Sequence, residues 1–294
     1  MFSVTPQDLS VKKFYGLMVS SIGPRPIALV STINKKGISN LTPFSCFNFF
    51  GANPPVVVFS PMSRISDGTN KDSLRNVEEV KEVVVNVVNY ELVHQSSLAS
   101  TDYPEEVNEF EKVGLTMLDS DLIKPKRVAE SPVQFECKVR DIVKVGEEGG
   151  AAHLVICEVI KMHISKAVMY ADQKIDQHKL DQVGRMGGSW YSRAKNGMFE
   201  LPKPLGVLGM GVDQLPENIR KSKILTGNDL AKLAGIEKQP DLETVEQFIN
   251  ENNLEEFINN STIEEVHVRA QKYLNENEIY EAWSILLSKT LKVI

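Results

Sequence analysis

Pro132-Val133-Gln134-Phe135-Glu136-Cys137-Lys138-Val139-Arg140-Asp141-Ile142-Val143-Lys144 alternates apolar and polar side chains. Successive side chains of a strand point to opposite faces. Val133, Phe135, Cys137 and Val139 therefore share one face, and Gln134, Glu136, Lys138 and Arg140 the other. The pattern predicts a half-buried antiparallel strand. Downstream, Glu147–Gly150 reads as a turn and His153–Ile164 as a long final strand. Upstream, Ile27–Ile33 reads as a strand, followed by an Asn34–Gly37 turn in which Gly37 can take positive φ. Ser39–Phe50 returns as a second extended segment, Pro54-Pro55 opens Val56–Phe59, and Val83–Val88 is a further β-branched run. About six or seven strands separated by turn signals predict a barrel or sandwich.

Two helices interrupt the strands. Leu74, Val77 and Val80 recur at helical spacing after Lys71-Asp72-Ser73, and Glu91–Ala99 is the second candidate. The C-terminal part changes character. Thr226–Leu233, Asp241–Asn250, Ser261–Leu274 and Glu278–Leu287 each start near a capping residue or an acidic first turn. Residues 221–294 carry 8 basic and 13 acidic side chains, a net of −5 out of −6 for the chain. These shifts divide the chain into a β-rich domain, residues 1–205, and a helical C-terminal extension, residues 206–294.

Composition narrows the function classes. At 42% hydrophobic and 24% charged, the 294 residues are globular in type. The negative charge disfavours a sequence-general nucleic-acid binder. The N-terminus MFSVTPQDLSVKK has no apolar core of a secretory signal, and no run of apolar residues is long enough for a membrane span; a cytoplasmic location is the simplest expectation. Cys46, Cys137 and Cys157 are odd in number and widely spaced, which argues against a disulfide framework or a zinc site. His94, His153, His163, His178 and His267 show no metal-binding spacing, and no metal is expected. The glycines of Leu205–Gly211 run G-x-x-G-x-G, the reverse of the dinucleotide fingerprint, and read as a loop.

Three polar clusters carry potential chemistry. Ser39-Asn40-Leu41-Thr42-Pro43-Phe44-Ser45-Cys46-Phe47-Asn48 combines hydroxyls, amides and aromatics. Pro43 cannot donate to a ladder, so the strand is an edge or is broken there. Freed backbone groups beside an apolar wall suit a flavin ring; a polar edge strand is the alternative. Lys71-Asp72-Ser73 opens a helix, where unpaired N–H groups, an ammonium and a hydroxyl suit a phosphate; an ordinary N-cap is the alternative. Arg185-Met186-Gly187-Gly188-Ser189-Trp190-Tyr191 offers close backbone approach and a guanidinium fork, or simply a Gly-Gly turn.

Together these clusters resemble the flavin-reductase-like family with the FMN-binding split barrel, the flavoredoxin type in particular. The resemblance rests on Gly23–Thr32, on Gly37 with Asn40–Asn48, on Pro54-Pro55, and on Lys71-Asp72-Ser73 with Asn76, all in order; Val85-Asn86 is similar to the family's central strand. It spans about residues 10–200 and implies a mainly β split barrel binding FMN as a homodimer. By position, Ser45, Cys46, Phe47 and Asn48 would lie along the ring and ribityl chain, with Asn40, Thr42 and Pro43 beside them. Ser31, Thr32, Lys71 and Ser73 would serve the phosphate and ribityl chain, with Asp72 and Asn76 orienting that helix start. Arg25 and Pro26 would lie near the ring or phosphate, and Arg185, Gly187 and Gly188 in a segment closing over the flavin. Ser73 stands where the family often has Thr, which keeps the hydroxyl.

The implied activity is hydride transfer from NADH or NADPH to a bound or exchanging flavin. The protein's tasks would be positioning and tuning, and no side chain is required as a general acid or base. An electron carrier serving a protein acceptor, or a flavin-binding module whose helical tail docks a partner, are the competing expectations.

Overall fold

The computed structural model describes residues 1–201, 206 and 208–289 and divides into two compact units, Met1–Phe199 and Glu200–Ile294. The expected boundary at 205/206 lies beside residues outside that description, as do Leu205 and Val207 of the Leu205–Gly211 stretch.

The first unit contains α1 (Val11–Ser21), β1 (Arg25–Pro26), β2 (Ala28–Ile33), β3 (Ser39–Phe44), β4 (Phe47–Ala52), β5 (Pro55–Phe59), α2 (Asp72–Val80) and β6 (Glu82–Val87). There follow α3 (Val93–Leu98), α4 (Glu109–Val113), β7 (Met117–Leu118), β8 (Arg127–Val128), β9 (Val133–Val145), β10 (Ala152–Ile164), α5 (Gln177–Leu180), β11 (Val183–Arg185) and β12 (Tyr191–Arg193). Seven strands form one antiparallel sheet in the order β3-β2-β6-β9-β10-β5-β4.

The segment expected as one strand over Ser39–Phe50 is two, and they stand at opposite edges of that order, separated in sequence only by Ser45 and Cys46. Consecutive Cα atoms are 3.8 Å apart, so Phe44 and Phe47 lie within about 11 Å. The sheet must therefore roll until its edges meet without pairing, which is a split β-barrel. The rings of Phe44 and Phe59, 5.3 Å apart, pack across the join.

Local chemistry fixes the register. Asn34 Oδ1 accepts from Lys36 N at 3.0 Å and Ile38 N at 2.9 Å, and Gly37 takes φ +84°, turning β2 into β3. Inside the barrel Ala28, Val30, Phe44, Phe59, Val85 and Val155 pack with Leu74 and Val77 of α2, which stoppers it. The other face of β2 and β3 buries Leu29 and Leu41 against Leu92, Phe110 and Val113 around α3 and α4. On β6, between β2 and β9, Asn86 is fully buried; it donates to Leu29 O and accepts from Val128 N, both at 2.9 Å.

Strand β9 departs from the simple alternation. Lys138 and Arg140 are exposed, but Gln134 and Glu136 on the same polar face are buried. Segment 119–131 supplies their partners. Glu136 accepts from Asp121 N at 2.8 Å and Leu122 N at 2.7 Å, and Gln134 donates to Val128 O at 2.8 Å and Ser131 O at 2.9 Å. Paired in this way, polar groups can be buried at little cost.

The second unit is helical, with α6 (Glu217–Arg220), α7 (Gly227–Ala234), α8 (Leu242–Glu251), α9 (Glu255–Asn260), α10 (Ile263–Asn275) and α11 (Ile279–Ser288). Helices α6 and α9 add to the four expected. Capping boxes at Thr226/Asp229 and Thr262/Glu265 start α7 and α10. The core is its own: Leu233, Ile258 and Leu274 surround Trp283, whose Nε1 donates to Leu233 O at 3.0 Å. No helix among the described residues is long and apolar enough to cross a membrane.

Candidate functional site

Lys71 sits at the N-cap position of α2 and makes no side-chain cap bond. The first turn of the helix therefore keeps its anion-attracting end. The half-buried Lys71 ammonium has no carboxylate within ion-pair distance among the described residues, and lies 5.9 Å from the Phe44 ring. Burial pushes it below the usual lysine range, with Asp102 partly opposing that and Arg64 adding to it. Ser73 Oγ in the same turn is buried without a hydrogen-bond partner. Asp72 is turned to Arg75 instead.

Lys71 borders a small polar cavity with Asn40, Thr42, Arg64, Asp102 and Glu109. Through Ser100 this cavity adjoins a second one of about 360 Å³, walled by Pro43, Ser45, Ser96, Ser97, Arg185 and Tyr191. The Arg185 guanidinium stacks 4.6 Å from the Tyr191 ring. Residues of all three sequence clusters thus meet on one side of the barrel, along β3, which is the edge strand expected at Pro43 and runs through it unbroken, Pro43 lying opposite Leu29.

The other predicted residues are placed differently. Thr32, Asn40 and Asn76 form a buried network: Asn76 Nδ2 donates to Thr32 Oγ1 at 3.1 Å, and Thr32 Oγ1 donates to Asn40 Oδ1 at 3.3 Å. Asn40 Nδ2 in turn donates to Glu109 Oε1 at 2.7 Å. Ser31 is buried and its hydroxyl has no partner. Arg25 caps α1, donating to the carbonyls of Val19 and Ile22 at 2.5 Å and to Met186 O at 3.2 Å. Pro26, Cys46, Phe47 and Asn48 line a larger, mainly apolar cavity of about 720 Å³ with Phe14, Met18 and Phe50; Ser45 borders both large cavities. Burial pushes the Cys46 thiol up, partly offset by Arg25. Gly187 packs on α1 so closely that a Cβ would collide with the Ser20 side chain, and Gly188 takes φ +57°. The larger cavity is the less suited to a phosphate: its lining is mainly apolar, and the one guanidinium among its described lining residues, Arg25, has both terminal nitrogens on carbonyls, although its buried Nε has no partner.

Arg64, Ser96, Ser97, Ser100, Asp102, Glu109 and Tyr191 also line these cavities, outside the sequence expectations. Ser96 and Ser97 lie in α3 and Ser100 in the turn just past its C-cap Ala99, and this run of serines at a helix end is the legible signal. Glu109 gives none. Its carboxylate accepts from Leu41 N at 3.2 Å as well as from Asn40, and burial pushes its pKa up.

One further cluster, Asp121, Glu136 and His163, brings three potential metal-donor atoms within 4.8 Å. Its oxygens already have partners: Lys161 Nζ is 2.5 Å from Asp121, and Glu136 holds two backbone N–H groups and His163 at 2.7 Å.

A split barrel with a lysine unpaired among the described residues at a helix start, and polar cavities along an edge strand, defines the class of fold. Residues 20–179 match the model of the flavin reductase like domain, and the chain belongs to that family. An uncharacterized protein of Aquifex aeolicus is 38% identical over 180 residues, which cover 61% of this chain and 89% of that one. Nitrilotriacetate monooxygenase component B from Bacillus cereus is similar in structure, with 30% identity, a TM-score of 0.64, and coverage of 68% and 98%. The 2-nitrobenzoate 2-nitroreductase of Pseudomonas fluorescens follows with 27% identity, a TM-score of 0.63, and coverage of 71% and 100%. The family match ends before the helical unit begins.

Proposed function

We propose that the Met1–Phe199 unit binds FMN and works as an oxidoreductase taking hydride from NADH or NADPH. The observation that carries this reading is the half-buried Lys71 with no ion-pair partner among the described residues, at the uncapped start of α2 and beside the groove along Thr42, Pro43 and Ser45. A partly buried ammonium that Asp102 supports only at a distance carries a desolvation cost, which a phosphate would offset. Lys71 and Ser73 would hold the phosphate; Thr42, Pro43, Ser45 and Arg185 would hold the remainder. Bound flavin supplies hydride acceptance. The chain's own part is to bind, orient and polarise, and Ser45 is the hydroxyl that borders both large cavities. Thr32, Asn40 and Asn76 act from beneath, holding α2 against β2 and β3.

A second copy of the chain fits the apolar face of α1 and β4. Met18, Ile22, Phe49 and Phe50 are exposed there, and β4 is an unpaired sheet edge. We therefore assign a homodimer; a monomer by light scattering at micromolar concentration would count against it.

The test is an absorbance spectrum before and after adding FMN and re-filtering. Retained bands near roughly 370 and 450 nm, the signature of a carried flavin, are expected. A flat spectrum refutes the cofactor reading. With FMN held, steady-state oxidation of NADH and NADPH separates a reductase from an electron carrier for a protein acceptor.

A further inference from the structure

We propose that Arg64 is a second phosphate-binding cation and that Asp102 is its internal counter-anion, which the incoming phosphate displaces. The proposal rests on the FMN reading and adds a specificity device to it.

Arg64 borders the same cavity as Lys71 and Thr42. Its own loop aims it: Nη1 donates to Thr69 Oγ1 at 3.1 Å and to Asn70 O at 3.0 Å. On its other side Nη2 donates to Asp102 Oδ1 at 3.0 Å. Asp102 comes from a different segment, between α3 and α4, and its side chain is 69% exposed against 27% for Arg64. An ion pair so open to solvent is weakly held. The arginine is fixed and the carboxylate is the removable member.

The cavity leaves about 20 Å³, about one water's room, so a phosphate seated in it must displace a lining side chain. A dianion beside that carboxylate would be repelled, whereas beside Arg64 and Lys71 it is attracted. The two other acidic residues at the cavity are committed elsewhere, Asp72 to Arg75 and Glu109 to Asn40 and Leu41 N. Among the described residues lining the cavity, Asp102 alone is placed to leave. Binding is then an exchange of anions. A ligand that brings no negative group, such as riboflavin, gains nothing from Arg64.

The test measures FMN and riboflavin dissociation constants by flavin fluorescence on the full chain, for wild type, Asp102→Asn, Arg64→Gln and the double variant. Asp102→Asn should tighten FMN by about two- to fivefold, the converse of the weak exposed pair it removes. Arg64→Gln should weaken FMN by about tenfold or more, as removal of a charge-assisted hydrogen bond does. Riboflavin should be unmoved by either, and Asp102→Asn should tighten FMN less in the Arg64→Gln background than in wild type, because there it relieves repulsion without freeing a guanidinium. Weaker or unchanged FMN binding in Asp102→Asn overturns the exchange, because Asp102 would then be holding Arg64 in place or doing nothing. Equal losses for both ligands in Arg64→Gln overturn the phosphate role. A wild-type chain that binds neither flavin removes the FMN reading itself, which the variant comparisons alone would not do.

Discussion

Substituting Lys71 by Gln removes a charge while keeping most of the side-chain length. The ammonium is half-buried, has no ion-pair partner among the described residues, and stands at the start of α2. Removing a charge-assisted hydrogen bond from such a place costs about 1.5–3 kcal/mol, which is roughly a 10- to 150-fold weaker FMN complex. Riboflavin has the same ring and no phosphate, so its affinity should stay within about twofold, below the effect of even a neutral bond. The pH dependence follows from the burial that lowers the Lys71 pKa. Phosphate favours the charged amine, so FMN affinity is full below the depressed pKa and declines as pH rises through it. In Lys71→Gln that alkaline decline should disappear. Fluorescence titrations with both flavins from neutral to alkaline pH read all of this. If riboflavin weakens as much as FMN, the lysine supports the fold and not the phosphate; if FMN affinity does not change, the anion site lies elsewhere.

Three further outcomes are expected. Asn86→Ala leaves Leu29 O and Val128 N without their buried partner and should cost about 2–5 kcal/mol in urea unfolding, the sum of two unmet groups and a small cavity; a loss under about 1 kcal/mol, within reach of ordinary substitutions, would mean that β8 is not tied to β6. Trp283→Ala opens the core of the helical unit and should cost that unit about 3–5 kcal/mol. FMN affinity should survive, because the proposed site and the family match lie in Met1–Phe199, and its loss would show that the units are coupled. His267 is buried with Nδ1 2.8 Å from Ser222 Oγ, and burial lowers its pKa. The folded state thus prefers the neutral ring, so its contribution is full above the ordinary histidine range and is lost as pH falls toward the depressed pKa. Fluorescence of the buried Trp283 in a Trp190→Phe background should report earlier acid unfolding of the wild type than of a His267→Gln variant, and identical acid profiles would contradict the assignment.

What is legible in the sequence, and what is not, follows from the range of the forces involved. Strands β2, β5, β6, β9 and β10 are readable because β-branched runs and turn residues act locally. The four longer helices of the second unit announce themselves through caps such as Thr226 and Thr262. The burial of Glu136 is not readable, because its partners are backbone N–H groups of Asp121 and Leu122, a contact that no spacing encodes. The same holds at the site. Lys71 and Ser73 can be proposed from a helix start, and Pro43 from its missing N–H, since both are properties of the residue and its neighbours. Arg64, Asp102 and Glu109 reach the groove from three separate loops or helices, and only the rolled sheet brings them there. The decisive step in that rolling is the shortest feature of the chain. Ser45 and Cys46 carry no Gly, no Asn and no Pro, so nothing marks the end of one strand and the start of another. Yet these two residues join the opposite edges of a seven-stranded sheet. The polar character of Ser39–Asn48 therefore has two sources: the segment lines a groove, and it is also the seam at which the barrel fails to close, with β3 and β4 as the two sheet edges.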